Sequence, residues 1–124
     1  MHLKHDGTED NIFLVESASS NEKIFAIGDD KATYAREIKV TKVSNFPDYV
    51  FQEGYDLMPL SEVKEFVNEH HHLPNVPSEK EVLAEGQDLA KIQRATLENL
   101  EELYLHVFEL EEELKRLKAK GHED

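Results

Sequence analysis

Hydrophobic residues are spread along this chain in three different rhythms, and each rhythm predicts a different kind of structure. In the first 43 residues the apolar positions come in short bursts. "NIFLVES" (11–17) and "KIFAIGD" (23–29) repeat an Ile-Phe-x-aliphatic core, Ile12-Phe13-Leu14-Val15 against Ile24-Phe25-Ala26-Ile27. The polar run "SASSNE" between them predicts two short strands joined by a turn. "TYAREIKVTKV" (33–43) alternates more clearly, with Tyr34, Arg36, Ile38 and Val40 on one face. It is expected to be a third strand entered through a turn at Asp29-Asp30-Lys31. So few apolar residues per strand do not make an independent sheet. The strands are expected to borrow neighbours from other chains, the alternative being a meander packed on the later helices.

Residues 44–86 hold the densest apolar patch, "SNFPDYVFQEGYDLMPL", punctuated by Pro47 and Gly54. Ser61 is expected to cap a helix over about 62–71, in which Val63, Phe66 and Val67 make one apolar face. Pro74 and Pro77 stop it, since proline lacks the backbone N–H and restricts the residue before it. Ser78 followed by Glu81 predicts the N-terminus of another short helix, and Gly86 its end.

Residues 87–120 read as one long helix with Asp88 as N-cap. Leu100, Leu103, Val107, Leu110, Leu114 and Leu117 recur at alternating intervals of three and four, the a/d seam of a coiled coil. Upstream, Leu89, Ile92, Thr96 and Leu100 slip by one position, a stutter. Glu113 falls at g and Lys118 at the following e, a cross-helix pairing. Glu111–Lys115 and Glu112–Arg116 are i,i+4 pairs. Leu97, Tyr104, Leu105 and Phe108 form a second stripe, expected to hold segment 44–86. Closing the seam within one chain would take a second long helix, and residues 1–86 predict none, so pairing between chains is expected. Phe46, Tyr49, Phe51, Phe66, Leu73, Pro74, Val76 and Pro77 are expected to build the small domain beside the helix, with residues 121–124 as a tail.

Composition narrows the functions. The 124 residues carry 27 acidic and 14 basic side chains, a net charge of −13. That charge repels phosphate backbones and anionic membranes, so no nucleic-acid partner and no membrane insertion are expected. Cysteine is absent, which excludes disulfides and thiolate-bound zinc. The start, "MHLKHDGTED", lacks the apolar core of a signal peptide. The chain is expected either to stay where it is made or to end a longer protein whose address lies upstream.

Candidate chemistry is sparse. His70, His71 and His72 precede the Pro-x-x-Pro turn, but consecutive residues on a helix point about 100° apart and do not converge on one metal. The expectation is a helix end with one histidine packed or hydrogen-bonded near the turn, with a pH response as the second reading. There is no phosphate-binding glycine loop, no nucleophile elbow and no zinc-protease motif. "GDD" (28–30) reads as a turn. No catalytic residue, cofactor or metal is assigned.

Several landmarks occur in order across residues 35–119. They are "AREIKV", "DYVF", "Y-x-L-x-x-L-x-E-V", "HLPNVPS-x-x-EV" and "L-x-x-x-Q…LE-x-LEELYL-x-V-x-EL". Together they resemble the C-terminal module of bacterial and phage tail-fibre and adhesin proteins, the branch related to the intramolecular chaperone of endosialidase. The resemblance implies an extracellular homotrimer at the end of a fibre, with a three-stranded coiled coil and an upstream β shaft of the same chain. It also implies that His72, within "HLPNVPS", is the one histidine belonging to the motif. Many members of the wider family cleave themselves at a Ser-Asp motif. This sequence has no Ser-Asp dipeptide, so no self-cleavage is expected. The reading is an α+β, non-enzymatic trimerisation and assembly cap. Its rivals are a tip that binds a host-cell surface receptor and a self-cleaving serine peptidase.

Overall fold

The computed structural model describes residues 10–41 and 44–121. The protein is α+β, with three antiparallel strands followed by three helices. It divides into two compact units, one on each side of the 42/43 boundary.

In the first unit, β1 (Asn11–Glu16), β2 (Lys23–Gly28) and β3 (Thr33–Ala35) form a meander in the order β1-β2-β3. Phe13 pairs with Ile27, Leu14 with Ala26 and Val15 with Phe25. This register places Phe13, Val15, Phe25 and Ile27 on one face and Leu14, Ala26 and Tyr34 on the other. Phe13 and Phe25 meet edge to face, with centroids 6.0 Å apart. The polar run between β1 and β2 closes through Ser17 N–H to Glu22 O and Asn21 N–H to Ser17 O. The Asp29-Asp30-Lys31 turn forms as expected, with Gly28 N–H donating to Ala32 O and Lys31 in the left-handed region.

β3 is shorter than its alternation suggests. It pairs with β2 at Thr33, Tyr34 and Ala35, and Arg36 N–H still reaches Ile24 O. Continuing that register puts Glu37 opposite Lys23, where β2 begins, so Ile38 and Val40 have no strand beside them and are exposed. Residues 42 and 43 of the expected strand lie outside the described residues. Ala26 is the one fully buried hydrophobic residue of this unit among those described, while Ile12, Val15, Ile24, Ile27 and Tyr34 remain exposed. Among the described residues, apolar side chains stand on both faces of the sheet.

The second unit starts with a 3-10 turn at Tyr49–Phe51, followed by α1 (Leu60–His70), α2 (Glu79–Glu85) and α3 (Leu89–Gly121). Its inner residues are Pro47, Val50 and Pro74. α1 begins earlier than the sequence suggested. Pro59, not Ser61, is its N-cap, and the Pro59 carbonyl accepts from Glu62 and Val63 N–H. Ser61 falls inside the first turn and makes no cap bond. Proline serves here because its fixed φ leads directly into a helix and its own N–H is not needed. α2 starts as expected: the Ser78 hydroxyl accepts from Glu81 N–H at 3.2 Å, and Gly86 ends the helix at φ 85°. At the start of α3, Asp88 accepts from Lys91 N–H at 3.1 Å through its carboxylate and from Ile92 N–H through its carbonyl. With 33 residues, α3 is about 50 Å long. No described helix is long and apolar enough to cross a membrane.

Candidate assembly surface

α3 has a covered side and an open side, and the two differ in chemistry. The covered side spans residues 94–108 and meets segment 44–77. Tyr49 donates its hydroxyl proton to Glu98, and Tyr55 donates to Glu102. Asn75 reaches the other oxygen of Glu98 at 3.3 Å. Asn99 Nδ2 donates to Pro74 O at 3.2 Å, and Arg94 donates to Ser44 O at 3.3 Å. A helix face carrying glutamates thus meets the small domain through a set of polar contacts. All but the Asn99 bond are charge-assisted and therefore among the stronger kind.

The chemistry of this contact shifts three groups. The hydrogen bond to Glu98 holds the Tyr49 hydroxyl up at about 12, with burial adding to it. Burial, then the bond to Glu102, raises Tyr55 further. Glu101 is 7 % exposed, and one of its carboxylate oxygens has no hydrogen-bond partner among the described residues. Burial, with the Asp48 carboxyl beside it, pushes Glu101 above the ordinary carboxylate range. Asp48 itself has a φ of 148°, an unusual conformation for a residue with a Cβ. His106 is also buried, with Nδ1 3.7 Å from Glu109.

The open side carries the seam. Leu100, Leu103, Val107, Leu110, Leu114 and Leu117 are each between 47 and 63 % exposed. Leu89 is exposed too, and Ile92 is half-buried. Every residue from 107 to 121 is exposed, so the small domain covers the earlier part of the helix more closely. An aqueous apolar row of this length is what an unpartnered coiled-coil strand presents.

The expected small-domain residues distribute unevenly. Tyr49, Phe66, Val76, Pro77 and Leu105 are half-buried and Pro74 is fully buried. Phe46, Phe51, Leu73, Tyr104 and Phe108 stay about half exposed. Leu105 and Phe108 line a groove with Val50, Phe51 and Leu57. Tyr104 sits 6.1 Å from Phe108 and faces the open side. On the helix surface Arg116 pairs with Glu113 at 2.8 Å rather than with Glu112, while Lys115 reaches both Glu111 and Glu112. Both i,i+3 and i,i+4 spacings are within reach of such side chains.

The three histidines do different things. His70 packs on Phe66 at 4.4 Å, and His71 closes α1 in the left-handed conformation. His72 meets Phe66 edge-on and places Nδ1 2.9 Å from Leu73 O. Among the described residues no group of three or more His, Asp or Glu side chains is arranged to hold a metal ion.

Sequence reasoning missed Arg94, Glu98, Asn99, Glu101, Glu102 and His106 as contact residues. The available signal was their placement on helix positions outside the a/d seam, where the second stripe drew attention to Leu97, Tyr104, Leu105 and Phe108 instead. Comparisons with protein-family models, curated proteins and solved structures found no match.

Proposed function

We propose that this chain is a non-enzymatic assembly domain, which trimerises through α3 and sets the register of upstream strands belonging to the same fibre or adhesin. The observation that carries the reading is the row of six exposed seam residues, from Leu100 to Leu117, on a helix whose other side is already occupied. The number three, the extracellular fibre context and the capping position come from the resemblance over 35–119.

The mechanism is entropic. Strand register is set by which face is buried, and a sheet that is apolar on both faces does not itself choose one. Joining three chains through a strong helical nucleus makes their encounter intramolecular and raises the effective concentration of the strands. The exposed Ile12, Val15, Ile24 and Ile27 of the sheet suit packing against neighbouring copies.

The test is light scattering behind size exclusion, with intact mass on the same peak. A particle of three uncut chains is expected. Val107→Asp with Leu110→Asp puts charges into the seam and should give unassembled chains. A native-sized oligomer from that variant would overturn the seam assignment.

A further inference from the structure

We infer that each chain's Tyr104 docks into a groove on the next copy, between α1 and α3. The inference rests on the assembly reading and specifies how neighbouring chains meet. The groove, of roughly 330 Å³, is lined by Leu60, Val63, Leu73, Val76, Asn99 and Leu103. It lies along the d–g edge of the seam, since Leu103 is a d residue and Asn99 and His106 are g residues. Tyr104 is an e residue on the opposite edge. It is 53 % exposed, and its ring is apolar where a coiled coil ordinarily carries a charge.

Heptad geometry selects the occupant. In a parallel, in-register coiled coil each g residue lies beside the following e residue of the neighbour. Applied here, that rule sets Asn99 beside the neighbouring copy's Tyr104, His106 beside Glu111 and Glu113 beside Lys118. The last pair is charge-complementary, which favours this orientation over an antiparallel one that would oppose e to e and g to g. The Asn99 amide nitrogen is committed to Pro74 O and Ala95 O. Among the described residues its carbonyl oxygen accepts no bond, so it can accept one from the incoming phenol. A tyrosine suits such a slot, with an apolar body for the aliphatic walls and a hydroxyl for the polar end. Each copy offers one edge and receives on the other, a head-to-tail contact that closes into a ring.

The chain has no cysteine, so placed thiols report neighbours cleanly. In Val63→Cys with Tyr104→Cys, a short bis-maleimide should link assembled chains into covalent rings of three. Val63 on α1 lines the groove at the d–g edge of α3, whereas Tyr104 is at an e position on the other edge, and a link within one chain would appear as a monomeric adduct. Tyr104→Cys alone should give no covalent pair. In the unsubstituted protein, mixed labelled and unlabelled chains should show nuclear Overhauser contacts between the Tyr104 ring of one copy and the Val63 methyls of another. Tyr104→Ala should keep the trimer but dissociate at about tenfold or more higher protein concentration. A trimer with neither the 63–104 link nor the interchain contact would overturn the docking and leave the assembly reading standing. Covalent pairs from Tyr104→Cys alone would overturn it in favour of antiparallel helices. A monomeric unsubstituted chain would overturn both.

Discussion

Replacing Leu110 by alanine separates a seam from a merely apolar helix. Leu110 is 58 % exposed in the single chain. Full burial of a leucine is worth about 1.5–3 kcal/mol, so the part still open to water is worth about 1–2 kcal/mol per chain. Three chains lose it together, about 3–5 kcal/mol for the particle. That corresponds to a roughly 10²- to 10⁴-fold weaker assembly constant. The substitution is chosen because alanine is the best helix former, so α3 is not weakened as a helix. Leu83 supplies the control. It lies on α2, away from the seam, and is 78 % exposed. Leu83→Ala removes as much apolar surface with no heptad partner to lose. Light scattering across a dilution series reads both variants. Leu110→Ala should dissociate at concentrations where the unsubstituted protein and Leu83→Ala remain assembled. Equal behaviour of the two variants would refute the seam, because exposure alone, not register, would then govern association.

The contact between α3 and the small domain makes its own predictions. The Tyr49 and Tyr55 pKa values are raised in the folded state, so their contribution is fully present below the usual tyrosine value near 10 and is lost as pH rises through the folded values, about 12 for Tyr49. Thermal melts of the unsubstituted protein should fall steeply over that alkaline window, and Tyr49→Phe with Tyr55→Phe should flatten the fall while lowering the melting temperature at neutral pH. Glu101 is also raised, so its protonated form suits the fold: its stability contribution is present below the unfolded glutamate value and is lost as pH rises through the folded one. Glu101→Gln should therefore stabilise the protein at neutral pH and lose that advantage under acid, measured by denaturant unfolding at both pH values.

The sequence made some elements legible because the signal there was local. The Ser78 cap, the Gly86 stop and the Asp88 cap each depend on one side chain and the few backbone groups next to it, and all three stand where the pattern put them. α3 was legible because a heptad rhythm over many residues has few other interpretations. What failed depended on partners. The third strand reads as alternating through residue 43, but a strand extends only as far as its neighbour does, and β2 stops pairing at Lys23. Helix α1 was placed late because Ser61 is a better N-cap by side chain than Pro59, and the backbone direction set by the preceding residues decided it. The role of Glu98, Glu101 and Glu102 was hidden by composition: in a chain with 27 acidic residues, three more glutamates on a helix look like solvated surface.

That concealment bears on how α3 divides its work. In the proposed assembly, α3 has to keep the surface it presents to identical copies distinct from the surface it presents to its own small domain. Here the intrachain contact carries directional polar bonds, through Tyr49, Tyr55, Asn75 and Asn99, while the open seam is aliphatic. Hydrogen-bonded tyrosines cannot satisfy a leucine row, and a leucine row cannot satisfy Glu98 and Glu102. The small domain therefore has a reason to close on its own helix before the chains meet, leaving one apolar surface for assembly. In the proposed trimer the stretch beyond residue 108, exposed in the single chain, gains lateral packing from the other copies. If the proposed assembly stabilises the last helical turns, helix content should rise with protein concentration over the same range in which the particle forms, and helix content independent of concentration would refute that coupling.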